Sequence, residues 1–524
     1  MTRPRTPSRR DALKGLIGFG TAAPLVLNLS AVGAAAAAEN PTDYKAIVCL
    51  FLVGGNDANN LLVATDDASW QRYWSARFRG ATPIALMPPG TAPTPIGSVN
   101  AVSKRTVSAT NFPEYWGGVL PITPKTPQRA AGAAPGAPAR TFGLHPLMPN
   151  MQKAFNAGRL AALANVGTLV APLTKAQYQK PTAGVQIPPR LFSHNDQQQT
   201  WQTGQVGYGA LGYGGQMGDL FAASSSGAAS INFTAFTTAG LTGFPVGAQV
   251  KAYRISVGPT GGSAVRVDLL QKTGSYNNSP TFLSALSATL LGNDAEGSVL
   301  GQAYADAMVT SNNTAAAFST ALASSPVSAP PAFTNPLTGA TQTNSLADQL
   351  RAVAQTIVAH GTLGPKRQVF FVQIGSFDTH DGQNDRQSLL LAQVDHALAY
   401  FDAEMTAKGY GEAVTTFTAS DFSRTFTTNG DGTDHAWGAH HLILGGAVKG
   451  GDIYGQFPTV GVDDAATGFN NPDMSGTALI PTTSVDQYMA TLAKWFGVPS
   501  DNLAKIIPRL PAFATPDLGF MKSV

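Results

Sequence analysis

The chain has 524 residues, 43% of them hydrophobic and only 12% charged, with a formal net charge of +3 and one cysteine. This balance excludes a charge-rich disordered chain and a small disulfide-stapled domain, and makes a large apolar core the source of stability. The positive excess lies at the N-terminus: without residues 1–38 the formal charge is −1, so neither a nucleic-acid partner nor an anionic-membrane surface is implied.

Residues 8–14 read Ser-Arg-Arg-Asp-Ala-Leu-Lys and lead into a mildly apolar stretch and the alanine run 34–38. Paired arginines, a short apolar region and an Ala-x-Ala site predict a twin-arginine signal peptide over 1–38, cleaved near Ala36-Ala37-Ala38. The expected partner is the twin-arginine export machinery, and the expected location is periplasmic or extracellular. Gly18, Gly20, Pro24 and Asn28 interrupt the apolar stretch, so no stable membrane span is expected. Residues 39–524 read as a single α/β domain.

Residues 46–53 form a continuous apolar run, the pattern of a strand covered on both faces, and they end at Gly54-Gly55-Asn56-Asp57. Cys49 lies inside that run and is expected to be a buried core thiol. Residues 81–140, rich in Pro, Ala, Gly and Thr, read as long loops. A short helix is predicted at 151–157, and at 159–167 a helix end passing into a second buried strand. Ser193-His194 precedes a glutamine-rich helical segment, so Ser193 fits both an N-cap, the commoner role, and a nucleophile. Residues 205–345 shift to Gly, Ser, Thr and Ala and read as an insertion or cap, with β-rich pieces at 229–236 and 264–270 and helices at 280–291 and 296–312.

The densest signal follows. Leu346, Leu350, Val353 and Ile357 mark a helix, 369–374 a strand, and Leu391, Val394, Leu398, Phe401 and Met405 one face of a second helix. Further strands are predicted at 414–419 and 442–446, and Ser484 with Gln487 forms a capping box before a last helix. Alternating strands and helices predict a doubly wound, mostly parallel sheet sandwiched by helices, whose carboxyl edge gathers polar groups. Those groups are Asp57, Ser193 and His194, Asp378 and His380, Asp421, Asp434 and His435, and His440, with His441 turned the other way. Several carboxylates and imidazoles at one edge suit a divalent ion such as zinc, manganese or calcium. Trp437 is expected to pack under its loop.

The ordered set GGND, SH before a glutamine-rich helix, FDTHDGQ, SDFSRT, GTDHAWGAHH and LGGAVKGGDIYGQFP resembles the DUF1501 family of exported bacterial proteins. That family is similar in fold to the alkaline phosphatase and sulfatase superfamily. The resemblance implies an α/β sandwich with a one- or two-metal hydrolytic site. Asp57, Asp421 and Ser193 would serve one ion, and Asp378, His380 and His435 the other. Two departures stand out: Phe422 follows Asp421 where the superfamily commonly has histidine, and Asp378-x-His380 is tighter than the phosphatases' Asp-x3-His. The implied chemistry is attack by the Ser193 hydroxyl on phosphorus or sulfur, with Arg424 or His194 stabilising charge on the ester oxygens.

The function expected is therefore an exported metal-dependent hydrolase of phosphate or sulfate esters, with a small-molecule or polymer ester as substrate. The competing expectation is a non-catalytic, metal-stabilised binding protein of the cell envelope. A metal-free serine hydrolase would need a Gly-x-Ser-x-Gly elbow, which does not surround Ser193.

Overall fold

The computed structural model describes residues 41–129, 136–205, 209–222, 231–240, 242–258, 260–264 and 299–523. The expected signal peptide, and the elements expected at 280–291 and over most of 264–270, lie outside the described residues.

Among the described residues a ten-stranded sheet runs through the molecule. Its strands are β1 (Lys45–Leu52), β2 (Leu160–Gly167), β3 (Ala235–Thr237), β4 (Tyr253–Gly258), β5 (Gly261–Ala264), β6 (Arg367–Ile374), β7 (Val414–Ser420), β8 (Ala439–Leu444), β9 (Ile453–Tyr454) and β10 (Thr483–Ser484). They lie in the order β9-β2-β8-β7-β1-β6-β3-β4-β5, with β10 also on β2. The principal helices are α1 (Asp67–Arg77), α2 (His194–Thr203), α3 (Tyr213–Ala222), α4 (Val299–Ala323), α5 (Ser345–Val358), α6 (Gln383–Ala407) and α7 (Val485–Phe496).

β1 is buried at all eight positions, because both sheet faces are covered. Ala46, Val48, Leu50 and Leu52 point into a core closed by α5 and α6, with Leu350, Ile357, Leu391 and Leu398. Ile47, Cys49 and Phe51 point into the opposite core, closed by α3 and α7 with Met217, Tyr488 and Leu492. The Cys49 thiol is buried and burial pushes its pKa well up, so it is a packing group. The capping box forms as expected, with Ser484 and Gln487 exchanging bonds at the start of α7.

The sheet is mostly parallel, as expected, and two features refine that layout. β8 is antiparallel to both neighbours, β7 and β2, because the chain returns from the end of β7 through the loop at the carboxyl edge and has no crossover to carry it to the other end. Residues 205–345 are more than a cap, since they supply β3, β4 and β5, which extend one side of the sheet beyond β6. Part of the helix expected at 296–312 is present in α4, and residues 159–167 are strand from Leu160 onward. Residues 81–140 are largely irregular, with a short helix at Pro113–Trp116 and a strand at Leu120–Ile122. No described helix is long and apolar enough to cross a membrane.

Candidate metal centre

Three parallel strands leave the sheet side by side: Leu52 of β1 pairs with Ile374 of β6 and with Ser420 of β7. The three following loops therefore start at one level, and Gly54 lies where they touch. Its N–H donates to Asp421 Oδ1 at 3.1 Å, its φ is +114°, and a Cβ there would stand 2.4 Å from the Asp378 backbone nitrogen. Glycine is needed for both the conformation and the approach. The β6 loop turns through Ser376 at φ +75°, an uncommon conformation for a residue with a side chain, before presenting Asp378.

Asp378 is the centre of the cluster. Its Oδ1 lies 3.3 Å from His435 Nε2 and 3.2 Å from His380 Nε2, and its Oδ2 lies 3.5 Å from His194 Nε2. His194, Asp378 and His435 each offer a ligand atom within 4.8 Å of the others. His194 comes from the first turn of α2, and His435 from the return loop, where residues 424 and 435 form an antiparallel bridge.

The far nitrogens of the three rings are held alike. His194 Nδ1 lies 2.6 Å from Asp421 Oδ2, His380 Nδ1 lies 3.1 Å from Asp434 Oδ1, and His435 Nδ1 lies 2.9 Å from the Phe192 carbonyl oxygen. An ionised carboxylate or a carbonyl can only accept, so each Nδ1 is placed to donate its hydrogen, which leaves Nε2 as the ring atom that turns a lone pair or a second hydrogen toward the cluster. His380 Nε2 and His435 Nε2 face each other at 3.0 Å, beside a carboxylate. Electron-rich atoms without hydrogens repel at that spacing unless a proton or a metal ion lies among them, and a carboxylate or carbonyl behind each histidine is how metal-bound imidazoles are oriented. The donor set thus fits a divalent ion that accepts nitrogen and oxygen, zinc in particular.

The electrostatics favour an ionised Asp378. Burial pushes its carboxyl up, but the Arg424 guanidinium, donating from Nη1 at 2.8 Å, and the nearby His194 and His380 outweigh this and hold it below the usual range. The Asp421 hydrogen bond raises His194 above the ordinary histidine value, against burial that lowers it. Burial lowers His435, against the Phe192 carbonyl that raises it.

A family model described as Protein of unknown function (DUF1501) matches residues 44–507. The chain belongs to the DUF1501 family. No curated protein matches it.

In this DUF1501 chain the expected residues separate into two groups. His194, Asp378, His380, Asp421 and His435 are brought together, with Asp421 behind His194 rather than at the centre. Asp57 is elsewhere engaged: fully buried, it is ion-paired with both terminal nitrogens of Arg77 and accepts from Gln383 Nε2 at 2.6 Å and from the Asn59 N–H at 3.1 Å. A tethered guanidinium already neutralises this carboxylate, so the expected Asp57, Asp421 and Ser193 ion site is not assembled. His440 is also displaced from the centre: its Nδ1 accepts from the Asn165 N–H at 3.1 Å, its ring stacks on Phe457, and burial lowers its pKa to about 3. His441 lies on the other side of β8 against Trp201 and Tyr488, as strand alternation requires. Trp437 is buried with Leu169, Leu191 and Ile480.

Two proposed catalytic groups are tied down. Ser193 is the N-cap of α2, but its hydroxyl bonds to no backbone N–H there and donates to Asp196 Oδ2 at 2.6 Å. The Arg424 side chain has no exposure and spends its donors on Asp378 and on the Thr433 carbonyl oxygen at 2.6 Å, so it positions Asp378 and does not face solvent. Sequence reasoning missed Arg77, Gln198, which donates to Asp421 Oδ2 at 2.9 Å, and the supporting role of Asp434. Asp434 had a signal in its place beside His435 and Gln198 in the glutamine-rich segment after His194, whereas Arg77 sits on a helix with no motif of its own.

Proposed function

We propose that this DUF1501 protein is an exported, metal-dependent hydrolase of phosphate or sulfate esters, built on an alkaline-phosphatase-like plan around a single divalent ion. The observation that carries the reading is the convergence of the His194, His380 and His435 Nε2 atoms on Asp378 at the carboxyl edge of the sheet, where the Asp378 side chain is 43% exposed and a ligand can reach it. His194, Asp378 and His435 would hold the ion, with His380 beside them, and Asp421, Asp434 and the Phe192 carbonyl keep the rings aimed. A divalent ion there supplies Lewis-acid polarisation of a phosphoryl or sulfuryl oxygen. The Ser193 hydroxyl has a proton acceptor in Asp196, although its bond to Ser193 holds that carboxyl below the usual range, which makes Asp196 a weak base. Export rests on the twin-arginine sequence at residues 8–14.

A second reading, a non-catalytic metal-stabilised protein of the envelope, draws on one specific observation. Arg77 closes off Asp57 and Arg424 is fully enclosed, so neither guanidinium is offered to a substrate oxygen. Metal analysis of the purified protein, followed by aryl phosphate and aryl sulfate assays with and without chelator, tests both. The hydrolase reading expects one equivalent of metal, chelator-sensitive turnover, and loss of both metal and turnover in Asp378→Asn. Bound metal with no turnover on either ester class favours the second reading, and no bound metal overturns both.

A further inference from the structure

The face of α2 that carries His194 continues away from the candidate metal centre as one wall of a cleft of about 410 Å³, within the range of small-molecule sites. Asn195, Gln198, Gln199 and Gln202 recur there at helical spacing and line the cleft with Thr242 and Val246 across from them. None of the described lining residues is charged, and Val246 is the only large apolar one among them. Two other surface clefts differ: one has Asp66, Asp67, Arg72 and Arg140 in its lining, the other Lys175, Asp463, Asp464 and Asp473.

The amide-lined cleft is a formed feature. Gln202 Oε1 accepts from Thr242 Oγ1 at 2.5 Å, from the Gly243 N–H at 2.8 Å and from the Phe244 N–H at 3.0 Å, pinning its floor to α2. Asn195 is exposed and Gln199 half-buried, and no hydrogen bond holds either side-chain amide among the described residues. Gln198 joins the cleft to the centre, since it lines the cleft and donates to Asp421, which orients His194.

We infer that this cleft binds the uncharged, polyhydroxylated part of the substrate, a sugar ring whose ester group would stand at the His194, Asp378 and His435 cluster. Each primary amide offers two donors and an acceptor in one plane, which matches neighbouring hydroxyls, each both donor and acceptor. An anionic extension would call for a cation in the wall, a cationic one for an acid, and an aromatic or acyl one for apolar walls; the described wall has no charged side chain and only Val246 as a large apolar one. The inference rests on the hydrolase reading for the ester and on the cleft alone for the sugar.

The test is calorimetric titration of the purified protein with neutral hexose, deoxyhexose and pentose oligosaccharides, with and without EDTA. At least one is expected to bind in both conditions, because the amides need no metal. The double variant Asn195→Ala/Gln199→Ala is expected to weaken that binding about tenfold, the effect of losing two modest hydrogen bonds. Ala210 also lines the cleft, and Ala210→Phe, which would fill it, is expected to abolish binding, with an unfolding midpoint near that of the parent confirming the fold. Failure of every saccharide to bind, or binding indifferent to both variants, overturns the inference. Because binding is read in EDTA, loss of the hydrolase reading alone leaves saccharide binding intact.

Discussion

At the scale of single residues, the buried charges are the sharpest points of the molecule. Asp57 and Arg77 are both without exposure, and Arg77 also donates to the carbonyl oxygens of Thr425 and Phe426 at 2.9 and 2.8 Å. Removing one partner would strand the other in a region where water cannot replace it. Arg77→Met is therefore expected to cost about 3–5 kcal/mol, measured by urea unfolding. A loss below 1 kcal/mol would show that the pair is hydrated in solution. Asp421 makes a different prediction, because it would act on a bound ion only through His194. Asp421→Asn should leave the fold intact yet weaken zinc binding about 10–100-fold, the usual cost of losing an orienting carboxylate, as read by competition with a chelating dye. Unchanged affinity would mean that His194 is not a ligand.

Elements set where those residues meet. The Leu52, Ile374 and Ser420 register brings the β1, β6 and β7 loops to one level, and the Gly54 and Asp378 backbones touch where the first two of those loops cross. Gly54→Ala combines a left-handed φ with a Cβ 2.4 Å from the Asp378 nitrogen, so it should push Asp378 away from the histidines. The expected result is a lower unfolding midpoint together with weaker zinc binding; full retention of both would mean that the loop yields without moving Asp378. α6 has the opposite role, as a rigid wall. Gln383 holds Asp57, and one turn later Gln387 donates to the Asp57 carbonyl oxygen at 2.8 Å, while Leu391, Leu398 and Phe401 anchor the helix in the core.

Across the whole molecule, buried histidines govern acid stability. His145, His440 and His441 are each lowered to about 3 by burial, against 6.5 when free. Each is neutral in the fold and takes up a proton on unfolding, so the stability they contribute is complete above pH 6.5 and is lost as the pH falls toward 3. Asp395 works the other way: burial raises it from 3.8 to about 6, so the fold is protonated first and gains stability as the pH drops through that window. Between pH 6 and 5 these four groups leave a net uptake of about two protons on unfolding, a slope on the order of 3 kcal/mol per pH unit. Denaturant titrations across that interval should show the fall, and a His440→Gln/His441→Gln variant should flatten it. An unchanged slope would assign the acid sensitivity to other groups.

Local patterns were enough for much of this architecture. Apolar runs identify β1 and β6 as strands, β1 as one covered on both faces, spacings of three and four identify α5 and α6, and Ser484 with Gln487 marks the start of α7. The acids and histidines after β1, β6 and β7 point to the carboxyl edge, and those after β6 and β7 do meet there. Which donor faces which partner was not legible, because that depends on groups brought together from distant parts of the chain. Asp57 and Asp378 look alike as carboxylates after buried strands, yet α1 swings Arg77 onto the first while α2 and the return loop bring His194 and His435 to the second. His440 and His435 are likewise both histidines of one segment. His435 precedes β8 and stays at the edge, whereas His440 has entered the strand, where pairing with β2 puts its ring against Asn165 and Phe457. Composition and periodicity determined which segments are strands and helices and which end of the sheet carries polar groups, since those follow from burial along the chain. Only the folded chain decided which polar groups share a centre, because that depends on register and on the reach of side chains from elements far apart in sequence.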